Sequence, residues 1–157
     1  MIDLSNLGNY KENNRIEAKR ATGGLPESIW ESYSAFANTL GGVILLGVEE
    51  LEDKSLRSVD LPDPEGLVNE FWEKVNDTRV VNSNILSPDD VSVEDSDGKR
   101  IVVIRVPRAT REQRPIFIGK DAFRGSYRRN GEGDYLCPKR EVSAMIRMAR
   151  ERIYKNR

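Results

Sequence analysis

The chain has no histidine and a single cysteine, Cys137, so the side chains able to do chemistry are carboxylates and cations. Without histidine there is no Ser-His or Cys-His pair to activate a nucleophile. Zinc sites built from His or several Cys are excluded as well. Any metal would be a hard cation held by carboxylate oxygens. The cations cluster late in the chain, where Arg108, Arg111, Arg114, Lys120, Arg124, Arg128 and Arg129 are interleaved with Phe117, Phe123 and Tyr127. Guanidinium groups pair phosphates, and aromatic rings can stack on bases. Of these two uses, a place in the core is the one expected for the aromatics, and the arginines could also form a solvated surface. Charge is divided unevenly: residues 1–100 hold 10 Lys+Arg against 20 Asp+Glu, and residues 101–157 hold 15 against 6. A basic face suits a phosphate backbone, although the two halves could also pair across one globule.

These residues must be positioned by a small number of elements. At 157 residues the chain is long enough for one domain with one core. Arg15–Lys19 alternates polar and apolar, which predicts an edge-like strand with Ile16 and Ala18 inward and Arg15, Glu17 and Lys19 on the other face. Pro26 suits a first helical position, and Ile29, Tyr33, Phe36, Ala37 and Leu40 share one helix face. Gly41-Gly42 stops that helix before a buried strand, Val43–Val48. An acidic loop, Glu49–Pro64, leads to a second helix over Glu65–Val75. Val91–Glu94, Asp97-Gly98 and Arg100–Val106 read as a β-hairpin. Pro115–Ile118 and Ala122–Arg128 are further strand candidates. Arg140–Ile153 predicts a closing helix with Val142, Met145, Ile146 and Ala149 inward and Arg147, Arg150 and Arg152 outward.

The order β-α-β-α-β-β, with extra strands and a closing helix, predicts an α/β (α+β) fold: a two-layer sandwich with a mixed sheet. Phe36, Leu45, Leu46, Phe71 and Val103 are its expected core. Residues 1–157 read as a single domain. Asn130-Gly131-Glu132-Gly133 is a turn and not a P-loop, since no Gly-Lys-Ser/Thr follows. No apolar run approaches a membrane span. Met1-Ile2-Asp3-Leu4 lacks a basic region and an apolar core, so no signal peptide is expected. A lone Cys137 cannot close an internal disulfide, which makes a reducing cytoplasm the expected location.

The most informative segment is Ala35-Phe36-Ala37-Asn38-Thr39-Leu40-Gly41-Gly42, followed by a strand ending in Gly47-Val48 and then acidic residues. Read physically, it is a helix end, a glycine stop and a strand. It also resembles the Schlafen AlbA_2 domain. The likeness continues upstream in Glu12 and Glu17-x-Lys19, and downstream in Arg114-Pro115 and Tyr127-x-Arg129-x-Gly131. The resemblance implies an Alba-like sandwich that binds DNA or RNA, at the N-terminus of a longer regulator. It also implies that two glutamates at this spacing and an acid after the Gly-Val strand can form a metal-dependent ribonuclease centre. The matching positions are Glu12, Glu17 and either Glu50 or Glu49. Two departures stand out: the third acid is Glu rather than Asp, and Ala18 replaces an aromatic.

The expected function is therefore a nucleic-acid-binding module of a transcriptional regulator. Lys19, Arg114, Lys120, Arg124, Arg128 and Arg129 are its expected phosphate contacts, with Arg128 and Arg129 reaching outward beside Gly131. No cofactor is expected of such a module. Its rival is an endoribonuclease using Glu12, Glu17 and Glu50 with Mg²⁺ or Mn²⁺. Pairing of Glu17 with Lys19 or Arg15 is expected ahead of metal binding. A third reading is a protein-interaction module, for instance a homodimer.

Overall fold

Alternation along two adjacent strands builds the centre of the molecule. In this computed structural model, residues 2–155 are described, without the side chains of residues 152–155. Strand β1, Ile16–Lys19, runs parallel to β2, Gly42–Leu46, at one edge of a four-stranded sheet. Helix α1, Ile29–Asn38, makes the crossover between them. A hairpin of β3, Val48–Glu50, and β4, Leu56–Ser58, follows, and then helix α2, Pro64–Val75. The antiparallel pair β5, Val91–Ser96, and β6, Lys99–Val106, completes the sheet in the order β1-β2-β6-β5. Asp97 and Gly98 join this pair with positive φ of 52° and 79°, the backbone of a tight hairpin turn. The expected mixed sheet and β-α-β-α-β-β core are present, with β3–β4 inserted.

Each face of the sheet buries alternate residues of β2 and β6. Ile44, Leu46, Val102 and Ile104 face α1 and α2, where Trp30 stacks on Phe71 at 5.2 Å between centroids. Leu45, Ile101 and Val103 face the opposite way, against Leu7, Val48 and Leu56. A 3-10 turn over Leu4–Asn9 and the β3–β4 hairpin thus cover the face that a bare two-layer sandwich would expose. Phe36, Leu45, Leu46, Phe71 and Val103 are all fully buried, as expected.

The last third differs from the expectation in detail. Ala122–Arg128 is not one strand. It opens as a short helical turn, α3, Ala122–Gly125, because the Asp121 side chain accepts from the Phe123 N–H as an N-cap. Strand β7, Tyr127–Asn130, and β8, Gly133–Leu136, then form a separate hairpin. Pro115–Ile118 makes only single bridges at Phe117 and Ile118, and side-chain amides hold it in place of a ladder. Pro26 precedes α1 proper, whose N-cap is Ser28. Leu40 lies beyond the end of α1 and is 48% exposed, not inward. The closing helix α4, Lys139–Lys155, buries Val142 and half-buries Met145, Ile146 and Ala149. Arg147 and Arg150 face outward, while the Arg152 side chain lies outside the described residues. Among the described residues, no helix is long and apolar enough to cross a membrane.

Candidate functional site

Strand β7 sends neighbouring side chains to opposite faces, so Arg128 and Arg129 have different fates. Arg129 points inward and its side chain is 0% exposed. Its Nη1 donates to Glu17 Oε1 and Asp134 Oδ1, both at 2.7 Å. Nε and Nη2 donate to the Asn13 carbonyl at 3.0 and 2.9 Å, and Nη2 also to the Ile16 carbonyl at 3.0 Å. These bonds use all five N–H donors of a guanidinium. The Phe36 ring lies beneath it, 4.9 Å from centroid to Cζ. Arg129 therefore has no donor left for a phosphate. The expectation that it reaches outward is overturned, because the hairpin folds back over β1 and encloses it.

The helix-end motif is the bed for this arginine. Thr39 Oγ1 accepts the Arg129 backbone N–H at 2.9 Å. Asn38 accepts from the Ile116 N–H at 2.8 Å and donates to the Ile116 and Tyr127 carbonyls at 2.9 and 3.0 Å. Gly42 leaves room for Phe36, whose ring atoms would lie 2.6 Å from a Cβ there. Gly41, at φ +77°, turns the chain against the Val106 carbonyl.

The acids assemble above this bed. Glu17 is held by Arg129 and not by Lys19 or Arg15, a partner 112 residues away that sequence spacing could not indicate. Lys19 turns aside and donates to Ser28 Oγ at 3.0 Å. Glu12 enters from the segment before β1 and accepts the Ala18 N–H at 2.9 Å. Carboxylate oxygens of Glu12, Glu50 and Glu132 all lie within 4.8 Å of one another. The third acid is thus Glu50. Glu49 is drawn to its cross-strand neighbour Arg57 and to Arg20. Burial first, then the neighbouring Glu17 and Glu50 carboxyls, push the Glu12 carboxyl up to about 8. Lys54 already pairs with Glu50 at 3.3 Å; a divalent cation held by Glu12, Glu50 and Glu132 would add further positive charge, and oxygen donors suit Mg²⁺ or Mn²⁺. Glu132 and Asp134 carried no chemical signal in the sequence. The glycine turn that presents Glu132 was visible, but not what it folds against.

The remaining cations divide into two regions. Arg124 is exposed, lies 3.7 Å from Asp121 and shares a depression with Glu27 and Glu31. Lys120 is exposed nearby in sequence. Arg108, Arg111 and Arg114 sit on a turn after β6. Thr110 and Gln113 fix it by reciprocal bonds: the Thr110 N–H donates to Gln113 Oε1 at 2.8 Å, and the Gln113 N–H to Thr110 Oγ1 at 3.3 Å. None of the three arginines forms an ion pair among the described residues. Partial burial, then repulsion from Arg108 and Arg111, makes the Arg114 cation less favourable than an ordinary guanidinium. Arg128 is half-exposed and pairs with Glu141 on α4. Of the interleaved aromatics, Phe123 is exposed and Phe117 and Tyr127 are half-buried, so none belongs to the core.

Residues 12–138 match the family model described as Schlafen, AlbA_2. The chain is 32% identical to the N-terminal domain of a RecG-related, ATP-dependent DNA helicase-related protein from Nitrosomonas europaea, solved by solution NMR. That match covers 87% of this chain and 94% of the other, with a TM-score of 0.64. The DIP2311 protein from Corynebacterium diphtheriae shares the fold at 18% identity and a TM-score of 0.53, over 85% of this chain but only 23% of its own. No curated protein matches significantly.

Proposed function

Since this chain belongs to the Schlafen AlbA_2 family, we propose that it is a nucleic-acid-binding module, serving a transcriptional regulator in the cytoplasm and directed mainly at phosphates. The observation that carries this reading is the turn bearing Arg108, Arg111 and Arg114, three cations without a carboxylate partner among the described residues. Grouped cations lower one another's stability unless an anion joins them, and a phosphate backbone supplies anions in series. The Thr110–Gln113 bonds fix the backbone of the turn that carries Arg111 and Arg114. Likeness to a domain from a DNA-helicase-related protein supports the same direction. Lys120 and Arg124 would extend the contact, whereas Arg129 would act only by holding the fold.

Titration of labelled DNA and RNA oligonucleotides at several salt concentrations tests this. The slope of log K on log salt should be about −0.9 per phosphate contacted on duplex DNA. Binding that is absent, or unchanged between low and moderate salt, would contradict the reading.

A second reading, a metal-dependent endoribonuclease, is favoured by the convergence of Glu12, Glu50 and Glu132. A divalent ion bound there would activate a water and stabilise a leaving oxygen. The Ala18 N–H, donating to Glu12, would orient that carboxylate, while Glu17 stays pinned by Arg129. RNA cleavage with Mn²⁺ that disappears in Glu12→Ala would support the enzyme. Intact RNA with bound oligonucleotide would leave the binding module.

A further inference from the structure

The arginine turn does not stand on an open plain. Arg114 and Arg128 line a shallow groove of 250 Å³ whose other wall is α4, through Ala144, Met145 and Met148. The volume is below the ~300–1,000 Å³ of sites for whole small ligands and suits a single planar group with its linked phosphate. Its two sides differ chemically. One side carries Arg114, which forms no ion pair among the described residues, and Arg128, which pairs with Glu141 and whose buried Nε has no hydrogen-bond acceptor among the described residues. The other side presents the Glu141 carboxylate and two thioethers, and Met148 remains 42% exposed. Thioether sulfur makes favourable contacts with aromatic rings and adapts to their shape.

We propose that this groove takes one unpaired nucleotide of a single strand, its phosphate between Arg114 and Arg128 and its base against Met145 and Met148. The inference rests on the nucleic-acid reading above and adds to it a strand state and a wall. Glu141 already accepts from Arg128, so the incoming phosphate would compete with that carboxylate for Arg128, whereas Arg114 forms no ion pair among the described residues. A base held in a duplex cannot enter, because its edge is paired and both of its faces are stacked. The same groove would accept DNA or RNA, since nothing in it reads the sugar.

The test uses fluorescence anisotropy with a labelled single-stranded oligonucleotide and a duplex of the same sequence. The single strand should bind more tightly than the duplex. Met148→Glu places an acid in the groove from an exposed position, and should weaken single-strand binding about tenfold, the worth of stacking one base, with a smaller effect on duplex. Met148→Trp offers a better stacking face and should retain or raise single-strand affinity, with its added fluorescence quenched on binding. Circular dichroism of both variants checks that the fold is kept. Equal affinities for single strand and duplex, together with normal binding by Met148→Glu, would overturn the groove while leaving the nucleic-acid reading intact. Absence of binding to either oligonucleotide would overturn both. Displacement of the oligonucleotide by inorganic phosphate as effectively as by a mononucleotide would reduce the site to an anion contact and remove the base from the proposal.

Discussion

Two regions of this domain gather like charges, and they resolve the conflict in opposite ways. Around β1 the acids are compensated from inside. Arg129 crosses from β7 to neutralise Glu17 and Asp134, and Glu12 takes up a proton because burial and its neighbours disfavour its charge. On the turn after β6, Arg108, Arg111 and Arg114 receive no internal counter-charge among the described residues. The physical lesson is that internal pairing builds the fold, while charge left unpaired at the surface is available to a partner. Adjacent Arg128 and Arg129 are both paired but differ in exposure: Arg129 is sealed beneath the hairpin, while Arg128 reaches Glu141 at the edge of a groove.

Breaking the internal compensation should have the largest effect. Arg129→Met leaves Glu17 and Asp134 facing one another with little solvent, and should cost about 3–5 kcal/mol of stability in urea denaturation. Stability within about 1 kcal/mol of the parent would mean that the arginine is not the keystone of this face. Replacing Arg128 and Arg129 together would consequently report on folding as well as binding, and Arg128→Ala is the cleaner probe of the groove.

Asn38→Ala should come next. It strips the Ile116 N–H of its acceptor and takes one donor from the Tyr127 carbonyl, while the Ile116 carbonyl keeps the Ser34 hydroxyl, at about 1–3 kcal/mol for a buried group left unsatisfied. The same change loosens the segment that follows Arg114, so nucleic-acid affinity should also fall. Hydrogen exchange of the Ile116 amide as slow as in the parent would show that another acceptor has replaced Asn38.

Replacing Arg108, Arg111 and Arg114 together by Ala should do the reverse. Stability should stay within about 0.5 kcal/mol, as for surface positions, while the salt slope becomes shallower by about 0.9 for each phosphate that the variant no longer neutralises. A variant that binds with the parent's slope would move the interface elsewhere on the surface.

The last effect concerns pH. The folded Glu12 carboxyl holds its proton up to about 8, against an ordinary value of 4.5. The folded state therefore binds more protons than the unfolded chain between these values, so stability from this group is full below about 4.5 and is lost as pH rises through about 8. Glu12→Gln keeps the neutral form and should flatten that part of the curve. A melting temperature in the parent that does not fall from about pH 5 to pH 9 would contradict the assignment.

Much of this molecule was legible in residue order. The continuous apolar runs of β2 and β6 and the helical spacing of α1 and α2 follow from which residues must leave water, and each is a local property of the chain. The absence of histidine settled which chemistries were open. Glycines 41 and 42 marked a helix stop, and the motif around them marked a family. Other features were decided only by tertiary structure. The sequence could not choose between Glu49 and Glu50, because the choice depends on Arg57 lying opposite Glu49 across a hairpin. It could not place Glu132 beside Glu12, since the β7–β8 turn meets β1 only after 112 residues of chain have closed between Glu17 and Arg129. Arg128 and Arg129 are indistinguishable by type and adjacent in order. What separates them is which face of a strand packs on the rest of the protein, and a strand's alternation says that its faces differ without saying which one will be buried.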